Sequence, residues 1–432
     1  MFLAAAILGA LAAGVPVAAP AAGQSSAGTT PPPVASPPRV SQAPEPGDGW
    51  SLVWDDRPSI RWGDRFRLDV RLRLQTDFQW SPVFDDDYNF FFALKRVGVR
   101  GSLGRAVSYA LDREIDVPRP WRDAYVNVKL APALEIRAGQ FKLPFGLDQN
   151  TPLTSLDFVY RTRLGALLSP GRDPGLMLHG QAGGERIDYF LGGFTHDGKT
   201  ARTITDALRV QGGATLAGRL LARPFAAGSS PFRTMQIGGA TTVSDVPEGL
   251  PGLQGLLPIG GSFLLPETPV KGRRVRAGLE ALWQPGPFAV KGEYARVTTE
   301  RQDQAADRGD LSPLRTSAWF VSTTWILTGE RTEAGAGDPS RPLFQGGPGA
   351  LELAARIERL TFGSTTRAGT PSLGPHADRV PETSDLVWTV GLSWYWNRWA
   401  KMQANLIHDR VTNELADPVE RWSQVIRLQL VF

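Results

Sequence analysis

The chain has 432 residues, a net charge of +4, 21% charged residues and no cysteine. Without cysteine there are no disulfides, thiolate metal sites or cysteine nucleophiles. The four histidines, His179, His196, His376 and His408, show no ligand spacing, so no metal and no cofactor is expected. After the N-terminus there is no uncharged apolar run of about 18 residues, which leaves a closed β-barrel as the only membrane-spanning structure open to this chain.

Residues 1–22, MFLAAAILGALAAGVPVAAPAA, read as a secretory signal, although no basic residue precedes the apolar stretch. Residues 23–49 are rich in Pro, Ser, Ala and Gly, the composition of an extended, disordered periplasmic tail. The remaining span, 50–432, is expected to form the barrel.

The stretch from Arg65 to Gln79 carries the strongest pattern. Phe66, Leu68, Val70, Leu72, Leu74, Thr76 and Phe78 alternate with Arg65, Arg67, Asp69, Arg71, Arg73, Gln75, Asp77 and Gln79, and Trp80 follows. A period of two residues is a strand. Strands in soluble proteins usually run about 5–6 residues, whereas this one is far longer and ends in an aromatic. An arginine on the lipid face would cost about 2–4 kcal/mol near the midplane, so the basic face is expected to point into the lumen.

Further alternating runs lie at 90–103, 107–116, 122–130, 133–142, 175–183, 187–196, 209–223, 233–243, 273–284, 289–299, 315–327, 350–362, 385–396, 399–409 and 421–432, sixteen strands in all. An even number returns both ends of the barrel to the periplasmic side. Connections at 104–106, 131–132, 184–186, 285–287 and 397–398 are short, whereas 143–174, 244–272 and 363–384 are long, as periplasmic turns and external loops should be. The connection 328–349 is a long one on the short-turn side. The last strand alternates Trp422, Ile426, Leu428, Leu430 and Phe432 with Arg421, Ser423, Arg427 and Gln429, and ends on an aromatic. Trp388, Trp394, Trp396, Trp399 and Trp422 cluster near strand ends, as aromatic girdles do.

A barrel of sixteen strands leaves an aqueous channel. Only seven of the 47 basic residues are lysine, and guanidinium is the better bidentate partner of phosphate and carboxylate. A GC-rich genome would enrich arginine too, so position must decide. Parity assigns Arg65, Arg67, Arg71, Arg73, Arg96, Arg100, Arg219, Arg223, Arg274, Arg276, Arg356 and Arg427 to the lumen, with Asp69, Glu280, Glu352 and Glu358 as expected partners. Lys95 and Arg96 are neighbours, so both can line the lumen only if the strand bulges or one side chain snorkels. Lys142, Arg161, Arg163 and Arg172 flank or lie in the connection 143–174, which is too long for a plain hairpin. Together these residues describe anion-binding, pore-lining groups for inorganic phosphate or other small anions, with no enzymatic role and no nucleic-acid partner. Asp85, Asp86 and Asp87 suit divalent cations among lipopolysaccharide phosphates but read first as a solvated loop. Gly193–Thr200, GFTHDGKT, matches the phosphate-cradling Walker pattern, yet it follows an alternating strand and precedes a poor helix, so it is not expected to bind a nucleotide.

The segment Gly139-Gln-Phe-Lys-Leu-Pro-Phe-Gly-Leu-Asp148, then Thr154-Ser155 and Ser169-Pro-Gly-Arg-Asp-Pro-Gly175, resembles the phosphate-selective porin O and P family. Further markers follow in family order over residues 65–432: Pro266-Glu267, Gly278-Leu-Glu-Ala281, Gly286-Pro-Phe288 with Glu293-Tyr294, Leu327-Thr-Gly-Glu330, Glu352-Leu-Ala-Ala-Arg356 and Gly391-Leu-Ser-Trp-Tyr-Trp-Asn397. The resemblance implies a sixteen-stranded outer-membrane barrel, a homotrimer in lipid and lipopolysaccharide, an anion-selective pore and a third loop folded into the lumen. It also implies functional roles for Arg73, the Lys95-Arg96 pair, Arg356 and Arg427, and it places the long turn after Leu-Thr-Gly-Glu within the family pattern. The connections 143–174 and 244–272 depart from the phosphate-specific members, so the particular anion stays open.

Overall fold

The computed structural model describes residues 49–432 except 55–56, 85–87, 202–211, 229, 254, 256, 258, 260–267 and 331–337. The expected signal and nearly all of the Pro-rich tail, as well as Asp85–Asp87, lie outside the described residues.

Eighteen strands form one antiparallel sheet. They are β1 (Trp50–Trp54), β2 (Pro58–Trp62), β3 (Phe66–Trp80), β4 (Tyr88–Leu103), β5 (Val107–Glu114), β6 (Trp121–Ala131), β7 (Leu134–Lys142), β8 (Arg172–Ala182), β9 (Ile187–Phe194), β10 (Thr215–Ala222), β11 (Gln236–Pro251), β12 (Pro269–Trp283), β13 (Phe288–Arg301), β14 (Leu311–Ile326), β15 (Ala350–Ser364), β16 (Thr383–Tyr395), β17 (Ala400–Asn413) and β18 (Ala416–Val431). From β3 onward each strand pairs with the next, and β18 returns to β3 from Gln424 opposite Trp80 to Val431 opposite Arg73. Strands β3 to β18 therefore close a sixteen-stranded barrel, and each expected alternating run lies on one of them. Closure leaves no sheet edge whose N–H and C=O groups would need water within a bilayer.

Closure is staggered, and β18 ends before the start of β3. Leu72 and Phe432 exchange backbone hydrogen bonds at 3.0 Å, and the part of β3 beyond them is covered by β2, which pairs residues 59–62 with 66–69. The β1–β2 hairpin is an addition the alternation did not announce. It is seated by rings, with Trp50 5.2 Å from Trp62 and 5.6 Å from Phe66, and Trp54 6.2 Å from Phe432. Arg65, expected on β3, instead sits in the turn before it, its guanidinium over the Trp62 ring.

Along β3 the polar residues Asp69, Arg73, Gln75, Asp77 and Gln79 are buried, while Val70 is exposed. The same inversion runs round the barrel: Leu216, Leu279, Val321, Trp388 and Val390 are exposed, and Arg274, Glu358, Asp385 and Gln403 are buried. A soluble sheet would show the opposite, so the apolar face is the one turned to lipid. Tight turns join the strands at one end. Gly104, between β4 and β5, has φ of 58° and open space around its α-carbon, so its requirement is conformational and not steric. The segment between β11 and β12 is shorter than the expected loop, because those strands run on to Pro251 and begin at Pro269.

The buried face is not uniformly polar. Val246 and Leu250 of β11, Val270 of β12, Ala295 and Val297 of β13, Leu314 and Ala318 of β14, and Leu360 and Phe362 of β15 form an apolar cluster with Phe145, Leu164 and Leu168 from the connection between β7 and β8. The buried face is thus apolar where side chains of that connection pack on it.

Candidate functional site

The connection 143–171 is tied to side chains on the buried face of widely separated strands. The Asp148 N–H donates to Glu293 of β13 at 3.0 Å, and the Val159 N–H to Asn405 of β17 at 2.8 Å. Carbonyl oxygens of the segment accept from Arg276 of β12 at Leu168 (2.8 Å), from Arg356 of β15 at Tyr160 (3.0 Å) and from Arg427 of β18 at Val159 (2.7 Å). Gln403 reaches the carbonyls of Leu156 and Asp157, and Lys291 pairs with the Asp157 carboxylate at 2.6 Å. The Tyr160 hydroxyl donates to Asp77 of β3 at 3.3 Å. Burial, with the Asp77 carboxylate beside it, pushes that hydroxyl above its ordinary range and keeps it a donor. A four-residue helix, α1 (Leu147–Asn150), is the only α-helical turn of the segment.

Across from these anchors lies a cavity of about 460 Å³. One side is the wall from β3 to β8; the other is the segment itself. Arg71, Arg73, Arg96, Arg100, Arg137, Lys142, Arg161, Arg172 and Lys199 line it, with Asp123 as the carboxylate among them. Alternation places Arg71 and Arg73 on one face of β3, and Arg96 and Arg100 on the same face of β4 beside them, since Arg73 stands opposite Arg96.

The carboxylates behind these cations are shared. Asp112 accepts two hydrogen bonds from Arg73 at 3.0 Å and lies 3.6 Å from Arg100. Asp123 holds Arg172 at 2.8 Å and lies 3.7 Å from Arg100. Glu114 takes Arg96 at 2.7 Å and Arg122 at 2.6 Å. With each carboxylate facing two guanidinium groups, pairing cannot neutralise the wall. Arg71 has no hydrogen-bond or ion-pair partner among the described residues, and one of its buried nitrogens is unsatisfied. Lys142 donates to the carbonyls of Gln149 (2.5 Å) and Thr151 (3.2 Å), while Arg161 lies 3.6 Å from the Asp148 carboxylate. Guanidinium groups in such an array can each present a fork of N–H donors to a tetrahedral or planar oxyanion.

Seven of the expected site residues meet here: Arg71, Arg73, Arg96, Arg100, Lys142, Arg161 and Arg172. The others do not. Lys95 stands opposite Leu74 on the outward face and Arg96 opposite Arg73 on the inward one, the plain alternation of a regular strand; the register shift between Gln75 and Thr76 falls on the other side of Leu94. Its ammonium lies over the Phe92 ring and pairs with Asp116. Arg274 and Arg276 are fully buried against Asp197, at 2.9 and 2.5 Å. Arg163 is buried and its backbone N–H donates to Glu358. Arg356 pairs with Glu358 at 2.9 Å and stacks over Phe158, and Arg427 pairs with Asp77 at 2.6 Å. Arg67 pairs with Asp69 at 2.8 Å and stays half exposed outside the cavity. Arg219 and Arg223 pair with Glu280 and Asp188 at 2.6 Å. Sequence reasoning missed Arg137, whose guanidinium lies over the Tyr125 ring at 4.6 Å; the same parity along β7 carried that signal. It also passed over Lys199 by treating it only as part of a Walker match.

That Gly193–Thr200 segment is used differently. β9 is antiparallel to both its neighbours, and Gly198–Thr200 is a single 3-10 turn. Asp197 clamps Arg274 and Arg276, and Lys199 donates to the carbonyls of Gly165 and Ala166. Burial acts to raise the Asp197 carboxyl, but Arg276 and Arg274 outweigh it and hold it well below the usual carboxylate range.

Several solved structures share this architecture. The outer membrane channel DcaP of Acinetobacter baumannii matches at 9% identity with a TM-score of 0.55, covering 85% of this chain and 98% of its own. In-vitro folded OmpT of Vibrio cholerae, in its trimer form, matches at 11% identity and 0.53, covering 85% and 100%. An anion-selective porin from Comamonas acidovorans matches at 11% identity and 0.52, again covering 85% and 100%. At these identities the likeness establishes the fold. No curated protein matches the chain. The family described as phosphate-selective porin O and P matches residues 68–222 and 263–432, which is most of the barrel, and the chain belongs to that family as a bacterial outer-membrane porin.

Proposed function

We propose that this porin is an anion-selective diffusion channel whose narrow passage is the cation-lined cavity between the wall from β3 to β8 and the connection 143–171. In this reading the connection lies within the barrel and constricts it, held against the opposite wall by its contacts to β12, β13, β15, β17 and β18. The observation that carries the proposal is the composition of the cavity lining, nine basic side chains against one carboxylate. Arg71, without a hydrogen-bond or ion-pair partner among the described residues, and Arg73, Arg96, Arg100 and Arg172, each sharing a carboxylate, offer a passing anion successive contacts. Positions of one parity on a strand are about 6–7 Å apart, so an anion meets one guanidinium before leaving the next. In water-filled surroundings each contact is weak enough to release.

Inorganic phosphate and other small oxyanions suit the guanidinium geometry, and chloride would pass by charge alone. A homotrimer in outer-membrane lipid and lipopolysaccharide is the proposed assembly; OmpT, of like fold, is described in a trimer form. The reversal potential in a KCl gradient across a planar bilayer, with phosphate added as a blocker, tests the proposal. Preference for chloride and concentration-dependent block by phosphate are expected. A reversal potential of cation-selective sign would overturn it.

A further inference from the structure

The outward face of the barrel carries arginines where lipid should leave none. Along β13, β14 and β15 the outward positions begin as an apolar and aromatic band that includes Tyr294, Val321 and Leu353, all exposed. The same parity then runs to Arg296, Arg315 and Arg359, each exposed. Tyr294 stands opposite Trp319, and Trp319 opposite Arg359, so the arginines begin at the row of ring side chains. They lie toward the ends of the strands that carry the connections 302–310 and 365–382, opposite the tight turns and the chain end at Phe432. In an outer-membrane barrel that end faces the cell exterior.

The three are close enough to act together. Arg296 stands opposite Ser317, and Arg315 opposite Thr298, which sets the two arginines diagonally across one strand pair, about 7–8 Å apart. Arg359 is opposite Trp319 on the far side of β14, with Thr361 opposite Ser317. Among the described residues neither Arg296 nor Arg315 has a hydrogen-bond or ion-pair partner, and Arg359 donates only to the Ser384 hydroxyl at 3.2 Å. Other outward arginines on this half of the barrel are matched: Arg273 by Glu300 and Arg410 by Glu420. Three solvated guanidinium groups with hydroxyls between them, the outward Glu300 of β13 being held by Arg273, form a receptor for a multiply charged phosphate ester. Their place beside the aromatic row sets that ester at the outer membrane surface.

We infer that Arg296, Arg315 and Arg359, with Ser317 and Thr361, bind the phosphate groups of the phosphorylated glycolipid of the outer leaflet, while its acyl chains lie along the apolar face below. The inference rests on the outer-membrane placement of the barrel but not on the selectivity of its pore, so the two fail separately.

Purified full-length barrel in detergent can be titrated with bisphosphorylated lipid A, dephosphorylated lipid A and phosphatidylglycerol, and bound lipid counted by native mass spectrometry. Bisphosphorylated lipid A is expected to bind at least about tenfold more tightly than either comparison lipid, given several charge-assisted contacts at one site. The triple variant R296Q/R315Q/R359Q should lose that difference, with single-channel conductance unchanged because the substitutions are on the outer face, and R296K/R315K/R359K should retain part of it. Undiminished binding by the glutamine variant, or equal binding of phosphatidylglycerol, overturns the inference. If the triple variant does not assemble, a salt titration of the wild-type complex decides: affinity that falls steeply with ionic strength supports the site, and affinity indifferent to salt overturns it.

Discussion

Arg71 and Arg73 lie two positions apart on the same face of β3, yet their surroundings differ. Arg73 donates two hydrogen bonds to Asp112, whereas Arg71 has no partner among the described residues. Arg71→Gln is therefore expected to lower anion preference without loss of thermal stability. A change of about 1 kcal/mol in a solvated passage corresponds to roughly fivefold in the anion-to-cation permeability ratio. Reversal potentials in dilute KCl measure it, and the effect should shrink as salt rises. Asp197 presents the opposite case, a buried carboxylate between two fully buried arginines. Asp197→Asn leaves both uncompensated and is expected to cost about 3–5 kcal/mol, read as a lower unfolding midpoint in detergent. The sign of the pH dependence follows from its depressed titration. Relative to the ordinary value of 3.8, the stabilisation is fully present above that value and is lost only as pH falls below it, toward the folded one. The midpoint difference between wild type and variant should accordingly be constant near neutrality and narrow in strong acid.

At the scale of elements, the connection 143–171 and the apolar cluster beneath it belong together. Phe145, Leu164 and Leu168 form one apolar cluster with Val297, Ala318, Leu360 and Phe362 of the barrel strands. Removing 152–168 is expected to raise single-channel conductance and to weaken anion preference, because Arg161 leaves with it while the wall from β3 to β8 remains. The barrel should still assemble, since the strand register does not depend on the deleted residues. Unchanged conductance in planar bilayers would place the segment clear of the passage. The β1–β2 hairpin is a second element whose role follows from its place: it covers the end of β3 that β18 does not reach, an edge that would otherwise expose unpaired backbone groups.

For the whole molecule, the outward face poses the question of what covers it. Lys95 and Arg113 interrupt the apolar face of β4 and β5, with Asp116 and Trp121 as their neighbours, whereas the face of β13 to β15 is apolar up to the arginines near its outer end. A homotrimer that seats β4 and β5 between protomers would take those charges out of lipid. Unboiled protein is then expected to migrate as a heat-labile trimer in a detergent gel, and Lys95→Leu should leave the monomeric barrel intact. A strictly monomeric unheated band would count against this assembly.

The sixteen strands and their two faces were legible in the chain because alternation is local: each residue's side of a barrel follows from its neighbours two positions away. That reasoning placed Arg71, Arg73, Arg96 and Arg100 together and would have found Arg137. It could not see which arginines are spent on carboxylates, because those partners are remote. Asp112 lies 39 residues from Arg73, Asp197 lies 79 from Arg276, and Asp77 lies 350 from Arg427. Nor could it see that β1 and β2 add to the sheet, which depends on where the closing strand stops. The sequence alone thus determined a closed barrel with a polar inner face, through the period-two contrast between lipid and water. Only the tertiary structure decided which of its cations remain available to a solute, because charge pairing acts across strands and is settled when the barrel closes.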